Sequence, residues 1–235
     1  MSILDLTGIA QQFGDKILYE DLELHLNKGE HLGLIGQNGA GKSTLIKIIT
    51  GEQLPDEGTI AWQKNIHVGY LDQYVEVDPT LSIKEFLKTA YAADFEKEAK
   101  IGELYMAYSE SMDDKLLEKA GRLQTELDQG DFYQIDTLIA EMSSGLGLDV
   151  LGMDTPLEDL SGGQRSKLIL AKLLLEKPDV LILDAPTNHL DDEHVAWLSQ
   201  FLQDFAGTFV VISHDRDFLN QITTHIADIE FGKLT

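Results

Sequence analysis

The chain contains no cysteine, which excludes disulfides and thiolate metal sites and suits a reducing cytoplasm, the expected location. It contains no apolar run approaching the ~20 residues of a membrane-spanning helix, so no membrane insertion is expected. The first residues, Met1-Ser2-Ile3-Leu4-Asp5, lack the basic stretch and apolar core of a secretory signal. Basic residues are scarce: 18 Lys and Arg against 41 Asp and Glu leave a formal charge of −23. Such a surface repels phosphate backbones and anionic lipid at long range, so any nucleic-acid contact must be local and geometric. Proline is absent from Ser82 to Leu148. What is present is ordinary for a soluble globular protein, with 43% apolar and 25% charged residues. At 235 residues the chain suits one large domain, or one domain with an insertion, and buries a core without staples.

The N-terminal part reads as strands. Ile3 to Leu6 and Leu22 to Leu26 alternate apolar and polar residues, as half-buried strands do. His31 to Ile35 is a nearly continuous apolar run ending at Gly36, the pattern of a buried strand. Thr44 to Thr50 reads as helix, and Thr59 to Trp62 and Ile66 to Tyr70 as short strands. The middle is charge-rich and helical. Ile101, Leu104, Tyr105 and Tyr108 share one helical face, and Leu116, Ala120, Leu123 and Leu127 another, separated by the polar break Ser109 to Asp114. That predicts an antiparallel helical hairpin, followed by a helix over Tyr133 to Met142. Apolar strands return at Val180 to Leu183 and Thr208 to Ile212, each followed by a polar turn and a helix. The order is that of an α/β fold with a parallel sheet interrupted by helices.

Between the buried strand and the first helix stands Gly36-Gln37-Asn38-Gly39-Ala40-Gly41-Lys42-Ser43-Thr44, with the spacing G-x-x-x-x-G-K-S. Its glycines allow backbone N–H groups to turn inward as an anion nest, and the following helix adds its positive end. Lys42 supplies a point charge for the outer phosphates, and the Ser43 hydroxyl is a hard oxygen ligand of the kind magnesium prefers. A nucleoside triphosphate, ATP, with magnesium is the expected ligand.

Four further motifs follow. Tyr70-Leu71-Asp72-Gln73 ends a strand, and Gln73 can reach magnesium or water. Leu160-Ser161-Gly162-Gly163-Gln164 opens a helix. Val180 to Asp184 is an apolar strand ending in a carboxylate suited to the metal shell, and Ser213-His214-Asp215 follows the strand ending at Ile212. Together they resemble the ATP-binding-cassette superfamily over nearly the whole chain. The resemblance implies a P-loop cassette with a parallel-sheet core, an antiparallel N-terminal β subdomain and a helical subdomain. It also implies a composite site in which ATP on one phosphate loop is closed by the Ser161, Gly162, Gly163 and Gln164 signature of a second cassette. In the same terms Gln73 is the Q-loop glutamine, Asp184 the magnesium-associated acid, Asp191 the D-loop aspartate and His214 the switch histidine. Phe13 stands where the family stacks adenine on an aromatic ring; the alternative is a core residue at a strand end. His25, His31, His67, His189, His194 and His225 are read as structural or solvent-facing.

Within the superfamily the chain resembles the ABC-F class, soluble proteins that act on ribosomes and meet transfer RNA. Pro186-Thr187-Asn188-His189-Leu190-Asp191 resembles that class, whereas transporter motors carry small residues at 188 and 189. The hairpin, about 93–129, resembles its Arm insertion. Lys84, Lys88, Lys97, Lys100, Lys115, Lys119 and Arg122 could touch ribosomal RNA, but interleaved Glu and Asp equally suit a solvated mixed-charge helix. The expected organisation is an N-terminal part of the ATP core over 1–81, a helical subdomain over 82–150, and the signature helix with the rest of the core over 151–235. The ending near Thr235 reads as the close of the first of two tandem cassettes. The alternative is the motor subunit of a membrane transporter.

One position departs from the family pattern. Asp-Glu-Pro-Thr is replaced by Asp184-Ala185-Pro186-Thr187, so alanine occupies the place of the carboxylate that polarises the attacking water. Loss of a positioned general base removes on the order of 10²–10⁴ in rate. Binding by Lys42, Ser43, the nest and Asp184 is expected to survive. A substitution made to trap the ATP-bound state and a naturally degenerate cassette both account for it.

Overall fold

The two longest strands are built on alternation. Ser2–Phe13 (β1) and Lys16–Asn27 (β2) pair antiparallel with Leu4 opposite Leu26 and Leu6 opposite Leu24, all four buried. Glu57–Trp62 (β4) flanks β1 on its other edge, giving a three-stranded sheet in the order β2-β1-β4. The structure, a computed structural model, describes residues 2–71, 78–230 and 232–234. It divides into two compact units, residues 1–75 with 177–235, and residues 76–176.

The first unit also holds a six-stranded sheet. His31–Gly36 (β3), Val68–Tyr70 (β5), Val180–Asp184 (β6), Thr208–Ile212 (β7), His225–Glu230 (β8) and Lys233–Leu234 (β9) run in the order β5-β6-β7-β3-β8-β9, with only β9 antiparallel. Every residue of β7 and the first four of β6 are buried, as expected of parallel strands covered on both faces. Lys42–Thr50 (α1) packs Leu45, Ile46, Ile48 and Ile49 into the same core as Leu34, Ile182 and Val210. The register sets Leu34 level with Ile212, and Ile212 level with Asp184. The chain therefore leaves β3, β7 and β6 side by side at one edge, where ligands of α/β sheets gather. Asp192–Gln203 (α7) and Arg216–Ile222 (α8) follow β6 and β7.

The second unit is helical. Ile83–Lys88 (α2) opens with a capping box between Ser82 and Glu85. Ala92–Ser111 (α3) and Asp114–Gln129 (α4) form the expected hairpin. Its seam buries Ile101, Leu104, Ala120 and Leu127, with Leu116, Leu123 and Phe132 against them. The spacing of 3 and 4 between these residues is that of a narrow two-helix seam, so Tyr105, expected inside, lies outside it and is 45% exposed. The polar break is shorter than expected. Ser109 and Ser111 stay helical, donating to the carbonyls of Met106 and Ala107, and α3 ends only at Met112, φ 52°. Asp113 then caps α4 by accepting from the Lys115 N–H.

Ile135–Gly145 (α5) begins after a turn of 3₁₀ helix over Phe132–Gln134, later than the Tyr133 start expected. Gly162–Leu175 (α6) packs on α2 and α5. The signature helix thus groups with the helical unit, whereas the sequence predicts a boundary at 150; its Leu168, Leu170, Leu173, Leu174 and Leu175 are buried. Several hairpin-region lysines are already paired with carboxylates: Lys84 and Lys88 hold Asp136 at 3.1 and 3.3 Å, and Lys97 meets Glu126 at 3.5 Å. The two lysines hold the Asp136 carboxyl below its usual pKa. Among the described residues no helix is long and apolar enough to cross a membrane.

Because the α3–α4 seam is a cluster of its own, Leu104→Ala should open it locally. A loss of about 2 kcal/mol would speed amide hydrogen exchange in α3 and α4 by more than tenfold and leave β6 and β7 protected. Uniform deprotection of both units would contradict a separate seam.

Candidate nucleotide site

The loop after β3 is shaped by what surrounds it. Gly36 has φ 147°, and a Cβ there would lie 2.7 Å from the Ile229 carbonyl oxygen of β8. The Ala40 N–H donates to Gln37 O at 3.1 Å, closing a turn. The Lys42 side chain is buried, and its Nζ donates to Gly36 O at 2.8 Å and to Gln37 O at 3.1 Å. The ammonium is thereby held across the mouth of the loop. The first N–H of α1 to find a backbone carbonyl is that of Leu45, which donates to Gly41 O at 2.8 Å. The N–H groups of Lys42, Ser43 and Thr44 stand ahead of it as the open N-terminus of the helix. Gln37, Asn38, Gly39 and Ala40 form the arch between.

The acidic edge meets this loop directly. The Ser43 hydroxyl donates to Asp184 Oδ2 at 3.1 Å, although the residues lie 141 apart in sequence. Two hard oxygen donors converge there, a set that fits magnesium, which takes few protein oxygens and completes its shell with water and phosphate. No cluster of three or more His, Cys, Asp or Glu ligands occurs among the described residues. Ala185 follows at φ 48°, its N–H donating to Ile212 O at 2.9 Å and its carbonyl accepting from Asn188 N–H at 3.1 Å. Asp191 caps α7, accepting from the His194 N–H at 3.1 Å and meeting His194 Nδ1 at 2.5 Å. Gln73 lies outside the described residues.

His214 is exposed on the turn after β7. Buried Ser213 accepts the Asp215 N–H at 3.1 Å, and Asp215 in turn caps α8. His214 lines a cavity of about 310 Å³ together with Gly36, Gln37, Arg216, Asp228 and Glu230. The switch-histidine position and the start of the phosphate loop therefore share one space. Phe13 ends β1 and is 52% exposed, at odds with the core alternative. It pairs across the hairpin with Lys16, whose Nζ donates to Gly39 O at 2.8 Å, so the hairpin tip rests on the phosphate loop. Tyr19, on the same hairpin, donates its hydroxyl to Gly41 O. Lys16 and Tyr19 escape a reading of the sequence, since nothing in their spacing announces a contact with a loop some twenty residues downstream.

In the helical unit, Ser161 caps α6. Its hydroxyl accepts the Gln164 N–H at 3.3 Å, while its own N–H donates to Gln164 Oε1 at 2.8 Å. Ser161 and Gly162 are exposed, and Gly163 and Gln164 partly so. A Cβ on Gly162 would meet nothing within 4 Å. Of the other histidines, His31 stacks on Phe209 at 4.1 Å, and His25 bonds Asp5, which raises its pKa.

Comparison with known proteins agrees with this arrangement. The family model described as ABC transporter matches residues 19–188. The uncharacterized ABC transporter ATP-binding protein YfmM of Bacillus subtilis (strain 168) is 46% identical over 238 residues, covering 100% of this chain and 46% of that protein. The energy-dependent translational throttle protein EttA of Escherichia coli (strain K12) is 37% identical over 218 residues, covering 92% of this chain and 39% of that protein. The chain thus spans less than half the length of these curated relatives. The solved structure of an ATP binding subunit of an ABC transporter superposes with a TM-score of 0.72 at 18% identity, covering 99% of this chain and 88% of that one. That likeness concerns the fold. The chain is an ATP-binding cassette: it belongs to the family described as ABC transporter.

Proposed function

We propose that the chain holds Mg-ATP on Gly36 to Thr44 as one half of a two-cassette clamp acting on the ribosome, and that it cleaves this ATP slowly. The observation that carries the reading is the bond from Ser43 to Asp184 beside Ala185. In it, Lys42, the nest and the N–H groups of α1 take the phosphates, Ser43 and Asp184 take magnesium together with Gln73, and Phe13 stacks on adenine. Magnesium supplies neutralisation of the phosphate charge and orientation of its oxygens. His214, facing the cavity beside Gly36, is within the same space for contact with the outer phosphate.

A water attacking that phosphate needs a group to accept its proton. The methyl group of Ala185 accepts none, so the chain retains the binding groups and lacks the base. Asp191 caps α7, and Asp192 and Glu193 lie in its first turn, past the strand end.

The second cassette enters through the signature. The space over Gly162 is unfilled among the described residues, which supports a role for that helix end toward a ligand brought by another cassette. Relatives of more than twice this length support a tandem partner in the same chain. Action in translation, in the cytoplasm and near transfer RNA, rests on the ABC-F relationship and on EttA, a translational throttle protein by name. The ion pairs that engage Lys84, Lys88, Lys97 and Lys100 favour shape and a few local charges over a basic RNA-binding face.

Two measurements test this. With a second cassette present, Ala185→Glu should raise steady-state phosphate release by on the order of 10²–10⁴; equal rates with and without the substitution would remove Ala185 from the account. The full-length tandem protein should pellet with ribosomes in ATP and less so without nucleotide. No pelleting in either state would refute ribosome action.

A further inference from the structure

Glycine at position 41 lets the loop reach φ 107°, but glycine alone restrains nothing. The restraint comes from outside the loop. Tyr19 is 1% exposed, its ring fills the space that a Cβ on Gly41 would need, and its hydroxyl donates to Gly41 O. The same oxygen accepts the Leu45 N–H at 2.8 Å, so both of its lone pairs are used. The peptide joining Gly41 to Lys42 is planar and trans, so its C=O and N–H point in opposite directions. Fixing the oxygen toward Tyr19 and Leu45 therefore fixes the Lys42 N–H on the other side. There it joins the N–H groups of Ser43 and Thr44 at the open end of α1.

We infer that Tyr19 is a positioning residue for the anion nest: its hydroxyl holds the Gly41–Lys42 peptide in the orientation that presents the Lys42 N–H to a polyphosphate. This rests on the reading of the loop as an ATP site. Phenylalanine would keep the ring and the packing but leave Gly41 O with one donor, and the glycine would be free to let the peptide turn. Lys16 makes a similar bond to Gly39 O, from an exposed position where water competes with it.

The test compares Tyr19→Phe with the unaltered 235-residue chain. Calorimetry measures Mg-ATP and AMP affinity, and amide exchange follows Leu45, whose N–H donates to Gly41 O, and β7 without nucleotide. Mg-ATP affinity should fall about tenfold, the fold-change equivalent to one hydrogen bond, with AMP affinity unchanged. Leu45 exchange should speed about tenfold, because its N–H loses the Gly41 acceptor when the peptide turns, with β7 unaffected. Unchanged Mg-ATP affinity together with unchanged Leu45 exchange would overturn the inference, and so would equal weakening of AMP and Mg-ATP. If the unaltered chain binds no Mg-ATP, the ATP-site reading fails on its own. Exchange then decides Tyr19: faster at Leu45 with β7 unaffected supports the inference, and equal rates overturn it.

Discussion

Leu34, Ile212 and Asp184 lie level across three parallel strands, and the site is assembled from that register. Because β7 lies between β3 and β6, the phosphate loop, the His214 turn and the Asp184 carboxylate leave the sheet at the same edge. The Ser43 hydroxyl then meets Asp184 across 141 residues of sequence. A slip of one residue in either pairing would turn Asp184 to the opposite face of its strand. The buried runs of β6 and β7 oppose such a slip through the apolar surface they keep from water.

A chain with a formal charge of −23 that binds a polyanion has to concentrate its favourable field. In the proposed reading it does so with backbone rather than with a basic surface. The open N–H groups of α1, the arch of loop amides and a single buried lysine act at contact distance, where screening by solvent is weakest. The carboxylates elsewhere lie largely on the exterior. Ala185 adds a second separation. The left-handed turn at φ 48° and its bond to Ile212 O keep the strand end shaped, while its methyl side chain offers no proton acceptor. In the proposed reading, holding and cutting ATP thus depend on different atoms.

Much of this was legible in the sequence because it depends on local patterns. Continuous apolar runs marked β3, β6 and β7, and the G-x-x-x-x-G-K-S spacing marked the loop. The seam residues Ile101, Leu104, Ala120 and Leu127 marked the hairpin. What was missed depends on tertiary contact. Tyr19 looks like one more residue of a strand until β2 is laid against the loop. Tyr105 follows the helical period but falls outside a seam only two helices wide. The signature helix packs on α2 and α5 and so groups with the helical unit, which the position of its motif in the sequence does not reveal. Ser109 and Ser111 read as a break and instead spend their hydroxyls on carbonyls of their own helix.

The central claim is that Ser43 and Asp184 hold the magnesium of a nucleotide bound on the loop. Titrating ATP into the chain with and without magnesium, in parallel with Asp184→Asn and Lys42→Ala, tests it most directly. The account predicts one saturable site whose affinity is strengthened by magnesium. Asp184→Asn should bring the affinity in magnesium down toward the magnesium-free value, and Lys42→Ala should weaken binding in both conditions. ATP affinity indifferent to magnesium, or unchanged by Lys42→Ala, would contradict it.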